Sequence, residues 1–295
     1  NSDTPDPSVS GQTITVAYTV TVVDYADIYP SSGTVTVKWE GTTNVCTGGF
    51  TASGQGSCSG AIMNRPSGSG QGTLSISYGN DDDFANCTSA TVNHRINKAN
   101  VEITKIEDPV GNSVLGEPVT IDFTISAASP GSGTPTGNVD ITAQGPNNTK
   151  SCVDVVLDGS GQGSCEVTLD EVGTWDFDLD YSGDGNFNAK TDYPEWERTV
   201  DKAPTSTTID SVENVFPFTP AAVDFSVSVD FPGVCTPTGN VTVTVVGSVL
   251  TCTGTVADGF CDITFDGYGY WVLNATYAGN ANCAGSTSAD YDHWN

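Results

Sequence analysis

The chain has 295 residues, of which only 15% are charged, with 36 Asp and Glu against nine Lys and Arg and a net charge of −27. Such a surface repels phosphate backbones and anionic headgroups, so nucleic-acid binding and membrane-surface roles are excluded, and the charge favours solubility. No run of 18 apolar residues exists to cross a membrane and no signal-peptide pattern opens the sequence, which starts at Asn1 and fits a processed secreted polypeptide or an excised fragment.

In chain order, the first alternating segment is Thr13-Ile14-Thr15-Val16-Ala17-Tyr18-Thr19-Val20-Thr21-Val22, a half-buried strand by its period of two. The glycine turn at Gly33 leads into Val35 and Val37; Leu74, Ile76 and Tyr78 alternate in a later strand, and a last strand runs near Thr91–Ile96. The same order then returns. Pro30-Ser31-Ser32-Gly33-Thr34-Val35, Thr134-Pro135-Thr136-Gly137-Asn138-Val139 and Thr236-Pro237-Thr238-Gly239-Asn240-Val241 share one pattern, as do the turns after Tyr78, Tyr181 and Tyr277. A period near 100 residues, about one small domain, predicts three copies of a domain rather than a solenoid. The expected boundaries are 1–98, 99–203 and 204–295, joined by the short stretches Asn97-Lys98-Ala99-Asn100 and Asp201-Lys202-Ala203-Pro204. Linkers this short predict a stiff row.

The copies differ at their starts. Val101–Ile106 and Ser206–Ile209 open the second and third as strands, whereas Asn1–Pro7 has two prolines and no β-branched apolar residue. Domain 1 is therefore expected to lack its first strand and to carry an uncovered edge, a site for pairing. In the last strand His293 aligns with His94 and Asn295 with Ile96. Asn1, Ser2, Asp3 and Thr4 at one end and Tyr291, His293 and Trp294 at the other are the candidate interface residues for head-to-tail assembly.

Nine cysteines, mostly in repeated pairs beside only two histidines, read as disulfides of an oxidising compartment. Cys46–Cys58, Cys152–Cys165 and Cys252–Cys261 each flank a turn and are expected to face one another on adjacent strands. Cys235 and Cys283, peculiar to the third copy, form the fourth expected pair. Cys87 is left over, either a buried thiol or a site of intermolecular bonding. No metal site is expected: zinc needs about four ligands, and each cysteine pair has no histidine nearby. Asp81, Asp83 and Asp184 lie in loops with oxygen ligands at alternate positions, part of a calcium pattern, but the later bidentate glutamate is missing and Asn280-Ala281-Asn282 in the third copy has no carboxylate. Hydrogen-bonded turns explain all three loops, so no cofactor is expected, with calcium as the minor alternative. Trp175 and Trp271 share a register six residues before the cassette tyrosine and belong to the core. Trp39, Tyr193, Trp196 and Trp294 fall outside that register, as surface or interface aromatics. No nucleophile elbow, phosphate loop or metal spacing appears, and the chain is read as no enzyme.

Ser8-Val9-Ser10-Gly11-Gln12-Thr13-Ile14-Thr15-Val16, Thr236–Val243, Tyr181-Ser182-Gly183-Asp184-Gly185-Asn186-Phe187 and the Asn-Lys-Ala junction resemble the bacterial immunoglobulin-like tandem repeats of secreted and cell-surface proteins. The resemblance covers essentially the whole chain. It implies an all-β protein of three tandem immunoglobulin-like β-sandwich domains forming an extended rod, each with seven strands, in agreement with the alternating segments. As a guide to function the repeat is weak, since such modules serve as stalks, adhesin parts and accessory domains. The expected function is an extracellular or cell-surface structural protein, a subunit of a head-to-tail filament or appendage that self-associates. The alternative is a stalk or a glycan- or protein-binding segment of a larger adhesin with a host or matrix ligand.

Overall fold

A computed structural model describes every residue except 26–27, 80, 90, 107–111, 192–195 and 295, and no side chain is described at 105–106. Tyr193 and Asn295 thus lie outside the described residues. All regular structure among the described residues is β.

The first domain comprises β1 (Ser2–Thr4), β2 (Ser8–Val9), β3 (Thr13–Thr19), β4 (Thr34–Trp39), β5 (Thr43–Gly48), β6 (Gln55–Ala61), β7 (Gln71–Gly79), β8 (Cys87–Thr88) and β9 (Val92–Asn97). The second comprises β10 (Val101–Ile106), β11 (Ser113–Val114), β12 (Pro118–Ala127), β13 (Asn138–Gln144), β14 (Thr149–Val156), β15 (Gln162–Thr168), β16 (Gly173–Tyr181) and β17 (Trp196–Asp201). The third comprises β18 (Thr205–Val212), β19 (Pro220–Val229), β20 (Asn240–Val245), β21 (Thr251–Thr255), β22 (Phe260–Thr264), β23 (Tyr270–Tyr277), β24 (Ser286–Thr287) and β25 (Tyr291–Trp294).

Each domain has two sheets. The three-stranded ones are β1-β3-β6, β10-β12-β15 and β18-β19-β22. The larger ones are β2-β9-β7-β4-β5, β11-β17-β16-β13-β14 and β21-β20-β23, the last with β24 and β25 both on β23. Strict alternation places one apolar row per strand between the sheets, as in β3, where Ile14, Val16 and Tyr18 are buried and the threonines between them exposed. Three separate cores result, centred on Ile14, Val37 and Leu74, on Phe123, Ile141 and Trp175, and on Val223, Val243 and Phe265.

The opening of domain 1 departs from expectation. Ser2–Thr4 does form a strand, β1, antiparallel to β3 with Asp3 opposite Val16, so the edge of β3 is covered. The strand is short because Pro5 and Pro7 cannot donate to a ladder; they sit between β1 and β2, where the chain crosses to the other sheet. β2 then pairs in parallel with β9, as β11 does with β17.

Trp39 also departs from expectation. It is 2% exposed, inside the first core, and its indole N–H donates to Asn64 O at 3.1 Å. Register explains the move. Leu74 on β7 pairs with Trp39, and Phe177 on β16 pairs with Ala143, so Trp39 corresponds to Ala143 and Gly72 to Trp175. A Cβ at Gly72 would stand 2.2 Å from the Trp39 ring. One indole fills the same space in both domains, carried by the neighbouring strand in domain 1.

The disulfides Cys46–Cys58, Cys152–Cys165, Cys252–Cys261 and Cys235–Cys283 are all formed. The first three do not cross a hairpin within one sheet. Cys46 lies on β5, in the larger sheet, and Cys58 on β6, in the smaller. Each staple therefore sews the two sheets together along one side of the sandwich, where both strands are edges. Closing 9 to 13 residues restricts the unfolded chain by about 3 kcal/mol per bridge.

Each junction alanine is anchored to the unit whose first strand it precedes. Ala99 N–H donates to Asn186 O at 2.9 Å, and Ala99 O accepts from Asn188 N–H at 2.8 Å. Ala203 N–H donates to Asn282 O at 2.9 Å, and Ala203 O accepts from Ala284 N–H at 2.8 Å. Both alanines are fully buried. The domains themselves meet through another repeated contact: Ser132 N–H donates to Ser10 O and Val234 N–H to Leu115 O. The turn after the second strand of one domain thus docks on the loops of the next.

Candidate functional surfaces

The buried polar cluster of domain 1 is built from three strands. Asp3 on β1 and Ser8 on β2 converge on His94 of β9: His94 Nδ1 lies 2.6 Å from Asp3 Oδ2 and 3.5 Å from Asp6 Oδ1, and Nε2 lies 2.8 Å from Ser8 Oγ. The ring is fully buried and Ser8 is 1% exposed. A carboxylate, imidazole and hydroxyl in this order resemble a hydrolase relay. Here, however, the hydroxyl faces the interior, with no room for a substrate carbonyl beside it. Asp3, Asp6 and His94 could also hold a cation. The 2.6 Å contact is a hydrogen-bond distance, shorter than the spacing of two ligands around an ion at about 2 Å from each. The cluster is a clamp that fastens β1 and β2 to the last strand.

The other domains alter it. In domain 2 the corresponding pair is Ser113 and Arg198, with Arg198 Nε donating to Ser113 Oγ at 3.0 Å. In domain 3 His293 occupies the position of His94, but Val215 stands where Ser8 and Ser113 stand. Among the described residues, His293 Nε2 and the neighbouring Trp271 Nε1 have no hydrogen-bond partner. His293 is 6% exposed and stacks on Phe265, and this burial pushes its pKa down from the ordinary histidine value.

The aspartate loops are hydrogen-bonded turns. Asp81 Oδ1 accepts from Asp83 N–H and Phe84 N–H, Asp184 Oδ1 from Asn186 N–H and Phe187 N–H, and Asn280 Oδ1 from Asn282 N–H and Cys283 N–H. Asp81 is held down at about 2 by the Tyr78 hydroxyl, with Ser32 and the loop N–H groups assisting. Burial works to raise Asp184, but the N–H and hydroxyl of Thr136 and the loop N–H groups outweigh it and its pKa is lowered. Asp83 itself carries no part of this pattern beyond its N–H. Cys87 is exposed, on β8, opposite Tyr78 and beside Thr34, Thr36 and Asn86 in a shallow groove.

The candidate interface residues fall on separate domains. Asn1, Ser2, Asp3 and Thr4 belong to the clamp end of domain 1, and Tyr291, His293 and Trp294 to β25. Trp294 is 71% exposed and lies against Tyr270, ring centres 5.1 Å apart. Trp196 packs on Phe177 at 4.1 Å and is half-buried. What sequence reading missed is the number of exposed aromatics on the third domain besides Trp294: Phe216, Phe218 and Tyr268 are each more than 70% exposed on the loops before β19 and β23. The cluster Phe216-Pro217-Phe218, set against Val9-Ser10-Gly11 in the first copy, was the available signal.

The fold and its repetition define the class: a tandem array of immunoglobulin-like β-sandwiches. Residues 108–196, within the second of them, match the family model of the bacterial immunoglobulin-like domain (group 3). Among solved structures, the bacterial integrin-binding protein invasin is 12% identical with a TM-score of 0.50; the match covers 94% of this chain and 56% of invasin's, so the chain spans little more than half of that structure. Domains A168–A170 of titin match at 11% identity over 97% of this chain and 94% of theirs (TM-score 0.36). The Escherichia coli adhesin FdeC matches at 13% over 97% and 94% (TM-score 0.32). No curated protein matches the chain. At these identities the likeness concerns the fold.

Proposed function

We propose that the chain is a stiff segment of an extracellular surface protein of the adhesin kind, holding its end domains apart and presenting them. The carrying observation is the repeated junction, in which a loop of the following domain donates a backbone hydrogen bond to the preceding one, Ser132 N–H to Ser10 O at 3.3 Å and Val234 N–H to Leu115 O at 2.8 Å, while Arg65 N–H reaches across to Asn186 Oδ1 at 3.2 Å. Contacts of this kind fix orientation, where a bare linker would let the domains swing. Four disulfides support an oxidising, extracellular setting, and the sealed clamp offers no reacting group. Head-to-tail polymerisation is disfavoured by charge: Asp81, Asp82 and Asp83 at the far end of domain 1 would approach the acidic domain 3. Small-angle scattering of the purified chain, with light scattering alongside, tests the reading. A monomer with one elongated, rigid envelope is expected; a profile of freely jointed beads refutes the stiff segment, and a polymer at micromolar concentration restores the filament.

A further inference from the structure

The end of domain 3 away from domain 2 is built differently from the corresponding ends of domains 1 and 2. In all three, the turn before β3, β12 or β19 closes with one N–H donating to the core loop: Gly11 to Ile62 O at 2.9 Å, Gly116 to Leu169 O at 3.2 Å and Phe218 to Phe265 O at 2.8 Å. All three residues have left-handed backbone, with φ of 75°, 87° and 63°. At the two junctions the residue must be glycine for a second reason. A Cβ on Gly11 would lie 2.3 Å from Ser132 O, and one on Gly116 would lie 2.5 Å from Val234 Cβ, both atoms of the following domain. Domain 3 carries phenylalanine there, in a conformation that disfavours any side chain. Its ring, 74% exposed, projects into the volume a following domain would fill.

Phe218 N–H is bonded to Phe265 O, in the loop that carries Tyr268 to β23, so the exposed Phe216 (77%), Tyr268 (71%), Tyr270 (49%) and Trp294 (71%) belong to the elements that form this end of the domain. Tyr270 and Trp294 share the outer face of β23 and β25, because their register neighbours Trp271 and His293 point inward. The charge around this surface has one sign. From Pro204 to Asn295 the sequence has nine Asp and Glu and no Lys or Arg; all nine basic residues of the chain lie between Lys38 and Lys202. Asp266 is in the loop with Tyr268, and the Tyr270 hydroxyl donates to Asp292. Aromatic faces attract cations and carboxylates pair with them. An acidic ligand is repelled here, and the surface supplies no cationic donor to a carboxylate or sulfate.

We infer that the aromatic end of domain 3 is a docking surface for a basic, apolar-studded segment of another polypeptide, and that it does not take a further immunoglobulin-like domain in the geometry of the two junctions. The partner's lysine and arginine stems lie along the rings while their heads meet the flanking carboxylates. This inference rests on the reading of the chain as a presenting segment, but fails separately from it.

Fluorescence anisotropy on the full chain provides the test, with labelled short peptides alternating lysine with valine, lysine with glycine, and glutamate with valine, and with neutral oligosaccharides. The lysine–valine peptide is expected to bind best, and to lose at least about tenfold in affinity with Phe218→Gly or Trp294→Ala and again with Asp266→Asn and Asp292→Asn combined. The control Asp224→Asn, on β19, is expected to leave binding unchanged. Equal binding of the lysine–glycine peptide, insensitivity to both aromatic variants, preferential binding of a neutral oligosaccharide, or no binding at all would each overturn the proposal. The steric half is tested by Gly116→Phe, which gives the second junction the residue found at position 218: scattering is expected to report domain 3 released from domain 2, and an unchanged envelope would overturn it. A flexible wild-type envelope would sink the stiff-segment reading while leaving peptide binding, measured independently, to stand or fall alone.

Discussion

Removing the Ser8 hydroxyl is the cleanest perturbation of the domain 1 clamp. Ser8→Ala deletes one oxygen at a site 1% exposed and leaves His94 Nε2, in a fully buried ring, without its 2.8 Å partner. An orphaned buried group costs about 1–3 kcal/mol, more than the hydrogen bond's net contribution, because water cannot reach the site to replace the serine. For a domain of this size each 1 kcal/mol lowers Tm by about 4–8 °C. Asp3→Asn weakens the 2.6 Å contact on the other ring nitrogen, with a cost of the same order. Asp6→Asn costs less, about 0.5 kcal/mol or below: its carboxylate stands at 3.5 Å and is 42% exposed. Differential scanning calorimetry on the oxidised chain measures all three. The low-temperature shift is expected in one transition, that of domain 1, with faster hydrogen exchange at Ser2–Val9. Equal effects from Asp6→Asn and Ser8→Ala, or a shift below about 2 °C for Ser8→Ala (too small for an orphaned group), would refute the clamp.

In domain 3, Val215→Thr places a hydroxyl where Ser8 and Ser113 have theirs; it is expected to match or exceed wild-type stability by up to about 1 kcal/mol, although a buried Val→Thr exchange ordinarily destabilises. Because burial lowers the folded pKa of His293, the unfolded chain takes up a proton first on acidification. Domain 3 should therefore lose stability as pH falls below about 6.5, until the folded pKa is passed, and His293→Gln should flatten that slope in pH-dependent chemical denaturation. Gly72→Ala is expected to destabilise domain 1 by about 1–3 kcal/mol through overpacking against Trp39, and Trp39→Ala by about 3–5 kcal/mol; the double variant should cost less than their sum, as measured by urea denaturation. Replacing Cys235 and Cys283 by serine frees a 48-residue separation and should cost about 4 kcal/mol, lowering the domain 3 transition in calorimetry.

Which parts of this were readable from the chain follows from the range of the forces involved. Alternation of Ile14, Val16 and Tyr18 is local, and so is the glycine turn repeated at Gly33, Gly137 and Gly239; these determine strands, turns and the count of domains without any knowledge of packing. Cysteine spacing likewise pointed to the partners now seen, because each short pair spans one turn. The direction of those bridges, sheet to sheet, depended on where the edges of two sheets meet, which no single segment encodes. Trp39 was placed outside the core because its repeat register was wrong for a tryptophan; only the closeness of Gly72 across the ladder shows that the indole changed strands and kept its place. Asp3 and His94 are 91 residues apart, so the clamp was invisible, and the prolines beside Asp3 argued against the strand that carries it. The aromatic end of domain 3 depended on both levels. Sequence supplied the aromatic residues and the one-signed charge. The tertiary structure decided their meaning, because Phe218 is informative only once Gly11 and Gly116 are seen to be pressed against the next domain, leaving no space for a side chain.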